Sequence, residues 1–121
     1  MEIIWNTSYI DPQSLISISR GDRLVVSKYL RQFQELIPER IKSLEASLER
    51  DDRKMIRQIL HQMSPQLQFF GIPNVVVPIR RLEFEYEIMP YIDLKALVED
   101  ILEKLVLAIS EVNSIIEKYF T

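Results

Sequence analysis

The spacing of the apolar residues constrains the fold of this chain more than any other feature of its sequence. From residue 23 to residue 50 they recur mostly in steps of three and four, which places them along one face of an α-helix. The members of this stripe are Tyr29, Phe33, Leu36, Ile37, Ile41, Leu44 and Leu48. Pro38 lies inside the stripe, but the pattern continues in phase beyond it, so we expect a local kink and no break.

A second apolar stripe runs from residue 53 to residue 70 with the same helical spacing. Its members are Ile56, Ile59, Leu60, Met63, Leu67 and Phe70. Asp51 and Asp52 precede this stripe and are suited to end one helix and cap the next. Gly71 follows it, and we predict a structural role for this glycine as a left-handed C-terminal cap.

The last part of the chain carries a short and a long helical pattern. Residues 75–77 are three valines, which favour a strand by composition, but the apolar residues from 75 onward are spaced as on a helix. These are Val75, Ile79, Leu82 and Tyr86. We therefore predict a short helix, with Pro78 in its first turn. Pro90 ends it, and Asp93 is the predicted cap of a long final helix.

The elements together predict an all-α fold. Asp11 is a plausible cap for a short first helix that has Pro12 at its first position. The predicted helices span about 12–19, 23–50, 53–70, 75–88 and 93–120, and no stretch shows the alternation of a half-buried strand. Four amphipathic helices with short connections predict an antiparallel four-helix bundle with a short extra N-terminal helix, in a single domain over residues 1–121.

The composition excludes several classes of function. The chain has no cysteine and one histidine, which excludes thiolate zinc sites and metal sites that need two imidazoles. Its two glycines cannot form a Gly-rich nucleotide loop. Lys and Arg total 15 against 18 Asp and Glu, with the signs interspersed, so we expect no binding to nucleic acid. We also expect no cofactor and no metal.

Nothing in the sequence predicts contact with a membrane. No apolar run approaches the roughly 20 residues that cross a bilayer. Residues 1–6 contain neither the basic segment nor the long apolar stretch of a secretory leader. We expect a cytoplasmic protein, in agreement with the absence of cysteine.

His61 is the one residue with distinctive chemistry. At about 100° per residue, it points well over 90° away from the core stripe of its helix, toward solvent. Lys54 and Arg57 lie two turns and one turn before it, and their charges could offset a bound phosphoryl group. Ser64 and Gln68 follow as potential hydrogen-bond donors. The two cations are equally consistent with a solvated basic patch, and a lone surface histidine often has no role.

Pro65 lies four residues after His61 and removes the amide that would bond the His61 carbonyl. We expect the helix to kink or thin at the histidine. The interruption is either a tolerated irregularity or a device that lets a partner approach closely.

At this point the sequence resembles the histidine phosphotransfer domains of bacterial phosphorelays. The motif of that family is alanine, the phosphorylated histidine, any residue, a hydrophobic residue, lysine and glycine, with a second glycine ten residues after the histidine. His61 matches the phosphoryl acceptor, Met63 the hydrophobic position and Gly71 the second glycine. Leu82 and Glu83 match a Leu-Glu pair in the following helix. The resemblance covers about residues 11–120.

Two positions depart from the family motif. Ser64 stands where the family usually has lysine, and Pro65 where it usually has glycine. The missing lysine removes a charge that would stabilise phosphorylated histidine. Lys54 or Arg57 could supply the positive charge that the missing lysine would provide.

The resemblance implies a phosphoryl carrier and not an enzyme with its own active site. The imidazole of His61 would accept a phosphoryl group from a receiver-domain aspartate and pass it to another receiver, of a response regulator or a hybrid sensor kinase. Mg²⁺ would be held only by the receiver. The docking surface would be the face around His61, with apolar residues such as Phe69 or Ile72 at its rim, and the domain would be a monomer.

Two alternatives stay open. One is a helical binding module that docks on a receiver or kinase domain to regulate it and is never phosphorylated, which the loss of lysine at position 64 favours. The other is a purely structural dimerisation bundle, which would melt at a temperature that depends on concentration.

Overall fold

The structure, a computed structural model, describes residues 7–120, and within this range it contains five α-helices and no strand. The first six residues, in which the sequence predicts no secretory leader, and residue 121 lie outside the described range. The helices are α1 (Pro12–Ile18), α2 (Arg23–Glu49), α3 (Arg53–Phe69), α4 (Pro73–Glu85) and α5 (Tyr91–Tyr119). The predicted all-α fold is confirmed.

The four longer helices form a closed bundle. Helix α2 packs against α3 and α5, α4 packs against the same two helices, and α1 lies against α3. Consecutive helices joined by short connections run antiparallel. The predicted four-helix bundle with a short extra N-terminal helix is therefore confirmed. None of the helices described between residues 7 and 120 combines the length and the apolar character needed to cross a bilayer.

Aspartate side chains cap the N-termini of three of the helices. The carboxylates of Asp11, Asp22 and Asp52 accept hydrogen bonds from backbone amides in the first turns of α1, α2 and α3 respectively. Such a cap satisfies an amide that has no partner within the helix and contributes about 1 kcal/mol. The caps predicted at Asp11 and Asp52 are confirmed.

The boundaries of α4 and α5 differ from the prediction. Helix α5 begins at Tyr91, directly after Pro90, so Asp93 lies in its first turn and is not the cap. Its charge still suits the positive end of the helix dipole. Helix α4 begins two residues earlier than predicted and ends at Glu85, where the chain tightens into a turn with the Met89 amide bonded to the Glu85 carbonyl. Pro78 therefore lies inside the helix and not in its first turn.

Most of the core is built from the predicted stripes, and it also includes Val26 and Leu30 of α2, which the prediction omits. Among the largest fully buried side chains are Phe33, Leu44, Ile56, Leu60, Met63, Leu67, Leu82 and Leu94. The rings of Phe33 and Phe70 lie 4.3 Å apart between centroids, which joins α2 to the end of α3. Leu36, predicted to lie in the stripe, is 37% exposed, because its neighbour Ile37 takes the inward position on the helix.

Gly71 adopts the left-handed backbone predicted for it, with φ of 59°. A Cβ at this position would lie 2.6 Å from the Cβ of Asp11. The Asp11 amide donates to the Phe70 carbonyl at 2.8 Å, so the chain before α1 is held against the end of α3. Glycine is required here by conformation and by space.

One carboxylate anchors the start of the described chain to the last helix. The side chain of Glu111, in α5, accepts hydrogen bonds from the amides of Ser8, Tyr9 and Ile10 at 2.6, 2.8 and 3.1 Å. Hydrogen bonds to an ionised acceptor are stronger than bonds between neutral groups. The segment before α1 is therefore fixed to α5.

Candidate functional site

His61 projects from the middle of α3 into solvent. Its side chain is 71% exposed, whereas the preceding residue, Leu60, is completely buried. The core side of α3 thus fixes the helix, and the opposite side presents the imidazole. The exposure expected from the helical periodicity is confirmed.

Glu83 of α4 contacts the imidazole of His61. Its Oε1 lies 3.3 Å from Nδ1 of His61, and its side chain is 30% exposed. The neighbouring Leu82 is completely buried, so the core packing of α4 directs Glu83 toward α3. A neutral imidazole that donates its Nδ1–H to a carboxylate has its free lone pair at Nε2. If Nδ1 carries the proton, Nε2 is therefore the atom that can act as a nucleophile.

Three side chains of α3 set the register of this helix against α4. His61 meets Glu83, the Arg57 guanidinium lies 5.6 Å from the ring centroid of Tyr86, and Arg53 donates to the carbonyls of Tyr86 and Met89. As residue numbers fall along α3 they rise along α4 and the turn that follows it, which is the antiparallel arrangement. The contacts of Arg53 and Arg57 are consistent with the register that brings His61 opposite Glu83.

The two cations predicted to support a phosphoryl group differ in their surroundings. Lys54 and Arg57 are both exposed, but Arg57 lies over the ring of Tyr86. A hydrogen bond to the Glu87 carboxylate raises the pKa of Tyr86 above its usual value, with partial burial adding to the rise and the nearby charge of Arg57 opposing it. The contact with Tyr86 holds Arg57 on the side of α3 that faces α4, one turn before His61.

The residues after His61 continue the helix. Helix α3 runs through Pro65 to Phe69, although Pro65 has no amide to offer the His61 carbonyl. Ser64 is half-buried, and Pro65 and Gln68 are exposed. The Gln68 carbonyl accepts a hydrogen bond from the Ser14 hydroxyl at 3.4 Å, which links this end of α3 to α1.

The sequence predicts Phe69 and Ile72 at the apolar rim of the docking surface, and this prediction is wrong for Ile72. Ile72 is 2% exposed and belongs to the core, because the turn after Gly71 directs it inward. Phe69 is half-buried, with its ring 5.6 Å from that of Tyr29. An exposed apolar side chain on α4 is instead Phe84, which directly follows Glu83 and is 87% exposed. Its position outside the stripe of α4 could have identified it from the sequence.

The described residues, 7–120, contain no group of three or more His, Cys, Asp or Glu side chains arranged to hold a metal ion. Around His61 the groups able to act chemically are the imidazole, the Glu83 carboxylate and the exposed cations of α3.

Comparison with known proteins supports the fold. No model of a known protein family matches the chain, and no curated protein matches it by sequence. Among solved structures, the chain is similar to the HPT domain of a sensor hybrid histidine kinase from Shewanella, with a TM-score of 0.82 and 14% identity. The match covers 93% of this chain and 97% of that one. The chain therefore has the helical-bundle fold of an HPT domain.

Proposed function

We propose that the chain is a histidine phosphotransfer domain that carries a phosphoryl group on His61 between receiver-domain aspartates. The observation that carries this proposal is the exposed imidazole in the middle of α3, with Nδ1 facing Glu83 and Nε2 left to react. The likeness to an HPT domain of a hybrid kinase supports it.

The chemistry needs one nucleophile. Nε2 of His61 attacks the phosphorus of an aspartyl phosphate, the bond from phosphorus to the aspartate oxygen breaks, and the aspartate leaves as a free carboxylate. The ring, which keeps its proton on Nδ1, becomes positively charged in the product. Glu83, 3.3 Å from Nδ1, stabilises this charge. The aspartate of a second receiver then attacks the same phosphorus and releases neutral imidazole.

The partner supplies most of the catalysis. Phosphoryl transfer is accelerated by positioning and by electrostatic stabilisation of the phosphoryl oxygens, which a receiver provides with its acidic pocket and Mg²⁺. The domain itself is therefore a carrier and not an enzyme. Its docking face comprises His61 and the surrounding residues, which are Lys54, Arg57, Ser64, Pro65 and Gln68. We propose a cytoplasmic, monomeric domain.

Ser64 leaves the phosphoryl group without the lysine that the family usually places one turn after the histidine. Arg57, one turn before His61 and exposed, is the best-placed cation to take over this role. Lys54, one turn further away, adds a weaker contribution that salt would screen.

The test is transfer of label from a phosphorylated receiver. We expect the wild-type domain to acquire acid-labile, base-stable phosphate, and His61→Ala to acquire none. Glu85→Gln, which alters a half-exposed carboxylate two residues after Glu83, is the matched control and should be labelled as the wild type is. Label that persists in His61→Ala, or a wild-type domain that takes no label from any of a panel of receivers, contradicts the proposal.

A second candidate is favoured by Ser64, which lacks the charge expected of a phosphorylated site. In that case the domain docks on a receiver without accepting its phosphoryl group. Binding of a receiver with no label on the wild-type domain, and no effect of His61→Ala on binding, would support this candidate.

A further inference from the structure

Helix α4 has little local support for its position in the bundle. It is the shortest of the four long helices, with 13 residues, and Pro78 lies inside it. Its N-cap residue is Ile72, whose side chain has no polar atom to accept hydrogen bonds from the first turn. The direction in which α4 presents Glu83 therefore depends mainly on contacts with neighbouring helices.

Arg53, the first residue of α3, holds the C-terminal end of α4. Its Nη1 donates to the Tyr86 carbonyl at 3.1 Å and also to the Met89 carbonyl. The last carbonyls of a helix have no amide partner within it, and a cation that bonds to them suits the negative end of the helix dipole. The Met89 amide donates to the Glu85 carbonyl at 2.8 Å, so both backbone polar groups of Met89 are hydrogen-bonded. Arg53 is thus a cap for α4 that another helix supplies.

Asp51 fixes the Arg53 guanidinium from the other side. Nε of Arg53 lies 3.0 Å from Oδ1 of Asp51, in the connection between α2 and α3, and the arginine side chain is 21% exposed. A planar guanidinium loses little further freedom when it forms several hydrogen bonds at once. Arg53 therefore joins the connection between α2 and α3 to the turn between α4 and α5.

The contacts of Arg53 involve the same two helices as the contact between His61 and Glu83. Arg53 precedes His61 by about 12 Å along the axis of α3, and Tyr86 follows Glu83 by less than one helical turn. Because backbone hydrogen bonds make one turn a unit, displacement of Tyr86 also displaces Glu83. A displacement of about 1 Å away from α3 would take Glu83 Oε1, now 3.3 Å from Nδ1 of His61, beyond hydrogen-bonding range.

We propose that Arg53 is a positioning residue for His61 and acts through Glu83. By holding the end of α4 against α3, it keeps the Glu83 carboxylate beside Nδ1 and favours the tautomer whose lone pair is at Nε2. Its own hydrogen bonds within residues 7–120 go to Asp51 and to the turn after α4, and none goes to the imidazole. The effect on the tautomer needs no receiver, whereas an effect on phosphotransfer rests on the proposed function.

The first test measures the tautomers of His61 by ¹⁵N NMR of the free domain at alkaline pH, where the ring is neutral. Arg53→Gln should increase the population protonated at Nε2, as Glu83→Ala does, by at most about fivefold, the limit for an exposed contact. Arg53→Lys keeps the charge but not the planar fork, so it should give a smaller change in the same direction and serves if Arg53→Gln folds poorly.

Arg31→Gln is the matched control for the tautomer measurement. Nη2 of Arg31 donates to the Phe120 carbonyl at 2.9 Å, so this variant also removes a guanidinium that caps the end of a helix, but between α2 and α5. The control should leave the tautomers of His61 unchanged. Unchanged tautomers in both Arg53 variants, each with a cooperative melting transition, or an equal change in Arg31→Gln, would overturn the proposal.

A double-mutant cycle distinguishes positioning through Glu83 from a general loss of stability. Arg53→Gln should change the tautomers in the wild-type background and leave them unchanged in the Glu83→Ala background. A change of equal size in both backgrounds would overturn the proposal, because Arg53 would then act by another route. The same cycle, read as labelling by a phosphorylated receiver, should be non-additive in the same way. A wild-type domain that takes no label would contradict the proposed function alone, because the tautomer measurement requires no receiver.

Discussion

Replacement of Glu83 tests how the imidazole is held and how its charge is stabilised. In the structure, Glu83 Oε1 lies 3.3 Å from Nδ1 of His61, but the imidazole is largely exposed. At that distance two unit charges in bulk water attract by about 1.3 kcal/mol, and measured exposed pairs contribute about 0.2–1 kcal/mol. The attraction between two full charges exists only when the ring is cationic. Loss of the Glu83 carboxylate therefore destabilises the domain with phosphorylated His61 more than the domain with free His61.

We therefore expect Glu83→Gln to shift the equilibrium between phosphorylated receiver and phosphorylated His61 toward the receiver by about two- to fivefold. The rate of labelling should fall by a similar or smaller factor. Rapid-quench measurement of label on both proteins gives the rate and the equilibrium constant together. Glu85→Gln, whose carboxylate pairs with Arg81 at 3.1 Å, is the control and should leave both unchanged.

A second readout separates positioning from general stability. ¹⁵N shifts of the ring should show that Glu83→Ala increases the tautomer protonated at Nε2, because the acceptor for Nδ1–H is gone. A loss of transfer of about 100-fold would refute the reasoning, because an exposed contact cannot supply nearly 3 kcal/mol. Unchanged tautomers together with an unchanged equilibrium would refute it as well.

Three further outcomes concern stability and charge. In denaturant titration, His61→Ala should change the free energy of unfolding by no more than about 1 kcal/mol, whereas Leu60→Ala should lower it by about 2–5 kcal/mol. Equal effects of the two substitutions would contradict the described orientation of α3. Gly71→Ala should cost about 2–4 kcal/mol by the same measurement, from backbone strain and the clash with Asp11, and an unchanged midpoint would refute that account. Ser64→Lys should lengthen the lifetime of phosphorylated His61 about two- to fivefold in a decay assay, and Ser110→Lys on α5 should leave it unchanged; equal lifetimes in both would refute local stabilisation by charge.

The long helices could be predicted because their apolar residues repeat over many turns. The stripe of α3 fixes its buried side, and the exposure of His61 follows from that side alone. The start of α5 was placed two residues late, because Asp93 is a favourable cap and Pro90 a less usual one. Leu36 and Ile37 are adjacent apolar residues, and only the packing of α2 against its neighbours selects Ile37 for the core.

The contacts between helices could not be predicted in the same way. Glu83 was identified by its resemblance to a family motif, but its contact with His61 depends on the register of α3 against α4. That register is set by long side chains such as Arg53, whose partners lie more than 30 residues away. Ile72 is predicted at the rim of the docking surface around His61, but the direction of the chain after Gly71 places it in the core. The burial of Ser47, which is 1% exposed, could not be predicted from the sequence, because a serine in a helix is ordinarily exposed.

The hydrogen bonds from the amides of Ser8, Tyr9 and Ile10 to the Glu111 carboxylate have a consequence for synthesis on the ribosome. The partners are separated by as many as 103 residues, so the earliest part of this segment to be translated meets its acceptor only after most of α5 has emerged. Until then the segment has no carboxylate to bind, and α2 also lacks its packing against α5. A nascent chain that pauses before Glu111 should therefore remain sensitive to protease at residues 8–10, and completion of α5 should protect this segment and α5 in one step.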